Sequence, residues 1–243
     1  MSHPTTKPVK NALGRSVRPG ILKYSVAWFL GALSALFIAA PFVDRLPTAQ
    51  ILEPLLFTVV LTFAVLAVGG RRHVLHVATV LVIPTLTLKW LTHLMPGLVP
   101  PEAFYFGAAA FITYVTTHLM LFVLRAKRVN SEVLCAGIAV YLLISLLWAS
   151  FYLILVRFEP NAFQFTVGPP KSGRFEGFNV LYFSLVALNT SAFGDIVPAT
   201  PLARMVAMVE TTVGVFYLAV LISRLVSLYA PGAQAQSPTD SQE

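Results

Sequence analysis

A single cysteine, Cys135, occurs in 243 residues, and it lies inside a long apolar run. It excludes a disulfide framework and a paired-thiol metal site. Charge is equally scarce: Asp, Glu, Lys and Arg make up 11% of positions, against about 25% in ordinary soluble domains. Hydrophobic residues fill the gap at 57%, and mean hydropathy is +0.77, which marks an integral membrane protein. Within the apolar segments there is no paired nucleophile and base, metal cluster or phosphate loop. We therefore expect no enzyme and no cofactor.

The net charge of +7 invites a nucleic-acid partner, but the placement of the cations argues against one. Lys7, Lys10, Arg15, Arg18 and Lys23 precede the first apolar run, Arg71 and Arg72 follow the second, and Arg125, Lys127 and Arg128 follow the fourth. Loops of mixed charge alternate with these. That asymmetry follows the positive-inside rule, so we expect a multi-pass protein of the cell (inner) membrane with both termini cytoplasmic. The basic first 20 residues are expected to meet anionic lipid headgroups of the bilayer.

A bilayer core takes about 20 apolar residues per helix. Six runs reach that length: Tyr24 to Phe42, Ile51 to Gly69, Val74 to Leu94, Phe104 to Leu124, Val133 to Val156 and Leu202 to Tyr229. The first reads as a retained signal anchor. A seventh apolar segment, Phe178 to Thr190, spans only about 20 Å as a helix and must re-enter. Irregular backbone at membrane depth is tolerated where protein or a water-filled cavity satisfies it, as the string after Thr190 would require. The C-terminal end of a half-helix, with its partial negative charge, suits a cation.

The stretch from Tyr182 to Pro198 reads YFSLVALNTSAFGDIVP. Together with the helices on either side, about Val133 to Tyr229, it resembles the pore helix and selectivity filter of prokaryotic potassium channels, whose pattern is TVGYGD. The resemblance implies an all-α membrane protein with six transmembrane helices, a re-entrant pore helix and a filter loop. It also implies a homotetramer, because only one filter string occurs per chain. By position, the backbone carbonyls of Thr190, Ser191, Ala192 and Phe193 would bind K+ as the permeant ion, with Gly194 closing the filter and Asp195 forming a ring at the outer mouth.

Three departures from the pattern matter. Ala192 stands in place of a glycine, and its Cβ strains a backbone of this type by roughly 1–2 kcal/mol. Asn189 and Ser191 add polar groups behind the strand. Phe193 replaces a tyrosine, and Phe183 on the pore helix is its expected aromatic brace, or else simply packs in the core. Glu210, inside the last run, either supports the back of the pore helix, with Arg204 or Asn189 as partners, or lies wet near the outer interface. Gly214 is a gating hinge or a site of close helix packing.

The four preceding helices lack the repeated Arg or Lys of a voltage sensor, since Phe104 to Leu124 contains neither. His118 reads as a helix-packing side chain, Pro84 as a kink, Lys89 with Trp90 as an interfacial anchor and Arg224 as a snorkelling one. Four segments result: a basic tail at 1–20, a four-helix region at 21–128, a pore domain at 131–229 and a disordered tail at 230–243. Within the pore domain the pore helix is expected at 178–190, the filter at 190–195 and the inner helix at 202–229. The expected function is passive potassium conduction. Two alternatives stand beside it: a weakly selective sodium and potassium channel caused by Ala192, and a non-conducting sensor or assembly subunit with a pore-like fold.

Overall fold

Helices form wherever the apolar runs predict them. The computed structural model describes residues 25–43, 49–68, 72–95, 100–167 and 175–229; the two tail expectations lie outside them. Six of the helices are long and apolar enough to cross a membrane: α1 (Ser25–Val43), α2 (Ala49–Val68), α3 (Arg72–Leu94), α4 (Pro101–Arg125), α5 (Ser131–Phe158) and α7 (Pro201–Tyr229). Between the last two lie β1 (Phe163–Phe165), the short α6 (Phe178–Leu188) and β2 (Ile196–Pro198). The protein is an all-α, multi-pass membrane protein.

Threonines inside these helices could be liabilities in lipid, where no water meets a hydroxyl. The buried Thr116 hydroxyl of α4 has no hydrogen-bond partner among the described residues. Most others are satisfied locally: Thr58, Thr79, Thr85, Thr113 and Thr212 each donate to the carbonyl four residues earlier at 2.7–2.9 Å. His118 makes the same kind of contact, its Nδ1 lying 3.0 Å from the Tyr114 carbonyl. Helix α3 continues through Pro84. At the start of α5, Asn130 caps the helix by accepting from the Val133 N–H at 2.9 Å.

Consecutive helices α1 to α5 pack against one another, and α1 also lies against α5. One core therefore runs from Phe29 and Leu33 of α1 through Val115 of α4 to Ala136 and Val140 of α5. Lys89, near the C-terminal end of α3, pairs its ammonium with Glu53 of α2 at 2.8 Å and lies over the Phe57 and Phe104 rings at 5.3 and 4.9 Å, so the cation has both a carboxylate and two ring faces as partners. Trp90 likewise turns its indole N–H to Thr58 at 3.2 Å.

A second core lies beside α6. Tyr152 of α5, Phe163 of β1, Phe175 from the segment before α6 and Phe183 of α6 form an aromatic cluster, with Phe163 and Phe175 stacked at 3.9 Å and Phe183 edge-on to Tyr152 at 5.2 Å. This cluster anchors the antiparallel pair β1–β2, in register Phe163 to Pro198, Gln164 to Val197 and Phe165 to Ile196. Three-residue strands carry too little periodicity to be predicted from sequence. They fix the segment after α6 to the segment after α5.

Candidate functional site

Helix α6 has 11 residues and reaches about 17 Å, too little to cross a hydrocarbon core of about 30 Å. Its C-terminal end is closed by a Schellman arrangement: the Thr190 N–H donates to the Ala187 carbonyl and the Ser191 N–H to the Val186 carbonyl, both at 3.0 Å. Thr190 occupies the left-handed position of that cap, at φ 58°. It is the place where glycine or asparagine usually sits.

Both long helices of the pore region grip this end. The Tyr141 hydroxyl of α5 donates to Asn189 Oδ1 at 2.7 Å, while Asn189 Nδ2 donates to the Leu185 carbonyl at 2.9 Å. From α7, the Thr211 hydroxyl shares its one hydrogen between the Ala207 carbonyl of its own helix at 2.9 Å and the Ala187 carbonyl of α6 at 3.2 Å. Gly214 explains the close approach. A Cβ at that position would meet the Leu188 carbonyl oxygen at 2.3 Å, so the end of α6 rests on bare backbone of α7. Close packing accounts for this glycine without a bend, and α7 runs unbroken from Pro201 to Tyr229.

Beyond the cap, positive φ falls on alternate residues: Thr190 at 58°, Ala192 at 38° and Gly194 at 80°. Ser191 and Phe193 between them do not share it. A backbone that alternates in handedness turns successive peptide planes the same way, with N–H groups on one side and carbonyls on the other. Ala192 is an L-residue in a region that favours glycine.

Phe193 is 71% exposed and stacks on Tyr182, at 6.5 Å and an interplanar angle of 11°. The expected pairing with Phe183 does not form within the chain. Adjacent residues on a helix point about 100° apart, and Phe183 faces the buried aromatic cluster while Tyr182 faces the loop. Tyr182, not Phe183, is therefore the ring of the short helix that braces the string.

Glu210 is fully buried, which removes the wet-interface alternative. It sits between α5, α6 and α7, accepting from the Ser184 hydroxyl at 2.5 Å and from the Tyr152 hydroxyl. Ser184 in turn contacts Ser145, lying 2.7 Å from its carbonyl and 3.1 Å from its hydroxyl. Neither expected partner is used. Arg204 lies six residues from Glu210, about 240° around the helix, and donates to the Pro198 carbonyl at 3.2 Å; Asn189 is turned toward Tyr141. Arg224, near the end of α7, donates to the Ala126 carbonyl at 2.7 Å, at the C-terminal end of α4 where such a carbonyl lacks a helical partner.

Residues 131–230 match a family model described as "Ion channel". No curated protein and no solved structure matches the chain. The matched span covers α5, the two strands, α6, the string and α7, which is the part assembled above. It points to a transport protein rather than an enzyme, with an ion-channel pore region carried by a multi-pass membrane chain.

Proposed function

We propose that four copies of this chain surround a cation pathway in the cell membrane, with both termini cytoplasmic and K+ as the permeant ion. The carbonyls of Thr190, Ser191, Ala192 and Phe193 replace the ion's hydration shell, Gly194 ends the filter and Asp195 concentrates cations at its mouth. The observation that carries this reading is the alternation of positive φ at Thr190, Ala192 and Gly194, directly after a helix too short to span. Conduction is passive, and α4 supplies no arginine repeat with which to sense voltage.

The assembly of copies draws support from α7. Its apolar span is only 17% buried within the chain, as low as α3 and against 56% for its pore-region neighbour α5, and Met208, Phe216, Ile222 and Val226 are exposed. Such a surface is at home against lipid or a second copy.

Weak selectivity between sodium and potassium is the second reading, and Ala192 at φ 38° favours it. A methyl group in each of four strands strains the ring in which potassium would be distinguished. The test is cation flux through purified protein in liposomes, wild type beside Ala192→Gly. Selective K+ flux through the wild type supports the first reading. Equal sodium and potassium flux that becomes potassium-selective in the glycine variant supports the second. Absence of flux from both, or a subunit number other than four, overturns the proposal.

A further inference from the structure

The Thr166 hydroxyl donates to the Gly194 carbonyl and lies 3.3 Å from the Asp195 carbonyl oxygen. Its backbone N–H donates to the same Asp195 carbonyl at 2.9 Å. One residue of the loop after α5 therefore holds two consecutive peptide groups at the outer end of the string. Gly194 needs such a hold. It is a glycine at φ 80° with open space where a Cβ would stand, so neither a side chain nor packing restrains its peptide.

Thr166 is itself well placed to act as an anchor. It follows β1 directly, and Phe165 of β1 pairs with Ile196, the residue after Asp195. The Ala199 N–H donates to the Ala162 carbonyl at 2.8 Å, and the Thr200 hydroxyl donates to Glu159 at 2.6 Å. These bonds tie the same two segments together on the far side of the strand pair. The backbone part of the clamp survives any side-chain change at residue 166; the grip on Gly194 depends on the hydroxyl alone.

We infer that Thr166 is a positioning residue for ion conduction, its hydroxyl fixing the Gly194 peptide and with it the outer end of the filter. The inference rests on the pore reading proposed above. It makes the segment around β1, ending at Thr166, part of the ion path's support.

The test uses the full chain in planar bilayers with potassium and sodium on opposite sides, comparing wild type with Thr166→Val, Thr166→Ala and Thr166→Ser. Valine keeps the shape and the backbone bond but lacks the hydroxyl; alanine guards against a failure of valine to assemble. Conducting bursts should shorten roughly threefold or more in both, with any potassium preference falling, as the outer carbonyls lose their fixed direction. Serine should restore wild-type behaviour. Wild-type bursts and selectivity in valine and alanine would overturn the role of Thr166 alone, as would a serine variant that behaves like valine. A wild type that carries no cation current would overturn the pore reading and this inference with it.

Discussion

Ser184 of α6 and Glu210 of α7 meet across 2.5 Å with both side chains fully buried. A carboxyl group taken out of water is tolerated only when hydrogen-bonding partners replace its hydration. Here Ser184 and Tyr152 do so, and in doing so they join the re-entrant helix to both of its long neighbours. The contact is a structural tie, placed behind the string rather than in it.

Removing one donor should therefore cost more than its own bond. Tyr152→Phe leaves the Glu210 carboxylate with Ser184, and the expected loss is about 1–3 kcal/mol of stability. Glu210→Gln, which keeps an acceptor and a similar shape, should cost less than Glu210→Ala. Combined as Tyr152→Phe with Glu210→Gln, the two changes should fall short of additivity by about 0.5 kcal/mol or more. Thermal unfolding of the detergent-solubilised protein reads this directly, and strict additivity would show that the two groups do not depend on each other.

Ala192→Gly should raise stability. At φ 38° the Cβ opposes the backbone by roughly 1–2 kcal/mol, and glycine removes that opposition. Ala192→Val adds a branched side chain in the same region and should lower the thermal midpoint. An unchanged midpoint in both variants would mean that the left-handed backbone at residue 192 is not kept in solution.

The long helices and the short re-entrant one were legible because length alone separates a span from a half-span. Glu210 was legible as an acid inside an apolar run, either partnered or wet, and its burial decides for partners. Their identity was not legible: Tyr152 and Ser145 lie seven apart on α5, on one face, but only tertiary packing brings Tyr152 directly onto the acid and sets Ser184 between Ser145 and the acid. A scan for hydroxyls inside apolar runs could have found them. Phe183 was assigned the wrong partner because spacing along a sequence does not give rotation about a helix axis. Thr166 gave no signal, since its function comes from a strand pair of three residues per strand.

Lys89 and Glu53 offer an asymmetric test. The Lys89 side chain is 14% exposed and that of Glu53 is 51% exposed. Lys89→Met leaves a carboxylate that water can solvate, so the cost should stay near about 0.5 kcal/mol. Glu53→Gln leaves an ammonium enclosed between two rings with a weaker partner, and should cost more, about 1–2 kcal/mol. Equal effects in thermal unfolding would indicate that the pair is as exposed as an ordinary surface bridge.

Gly214 separates two explanations that a sequence cannot. A hinge glycine weakens a helix, so Gly214→Ala would stiffen α7 and change opening while leaving the fold intact or slightly more stable. A contact glycine behaves differently. With a Cβ brought to 2.3 Å from the Leu188 carbonyl oxygen, the end of α6 must move away from α7, straining the Thr211 bond to Ala187 and the Asn189 bond to Tyr141. Overpacking of this kind costs about 1–3 kcal/mol. We expect Gly214→Ala to lower the thermal midpoint and reduce ion flux together. The second-site change Leu188→Ala would relieve only the 3.0 Å side-chain contact and should recover little, because the principal obstacle is backbone. A stable Gly214→Ala protein with altered opening alone would favour the hinge.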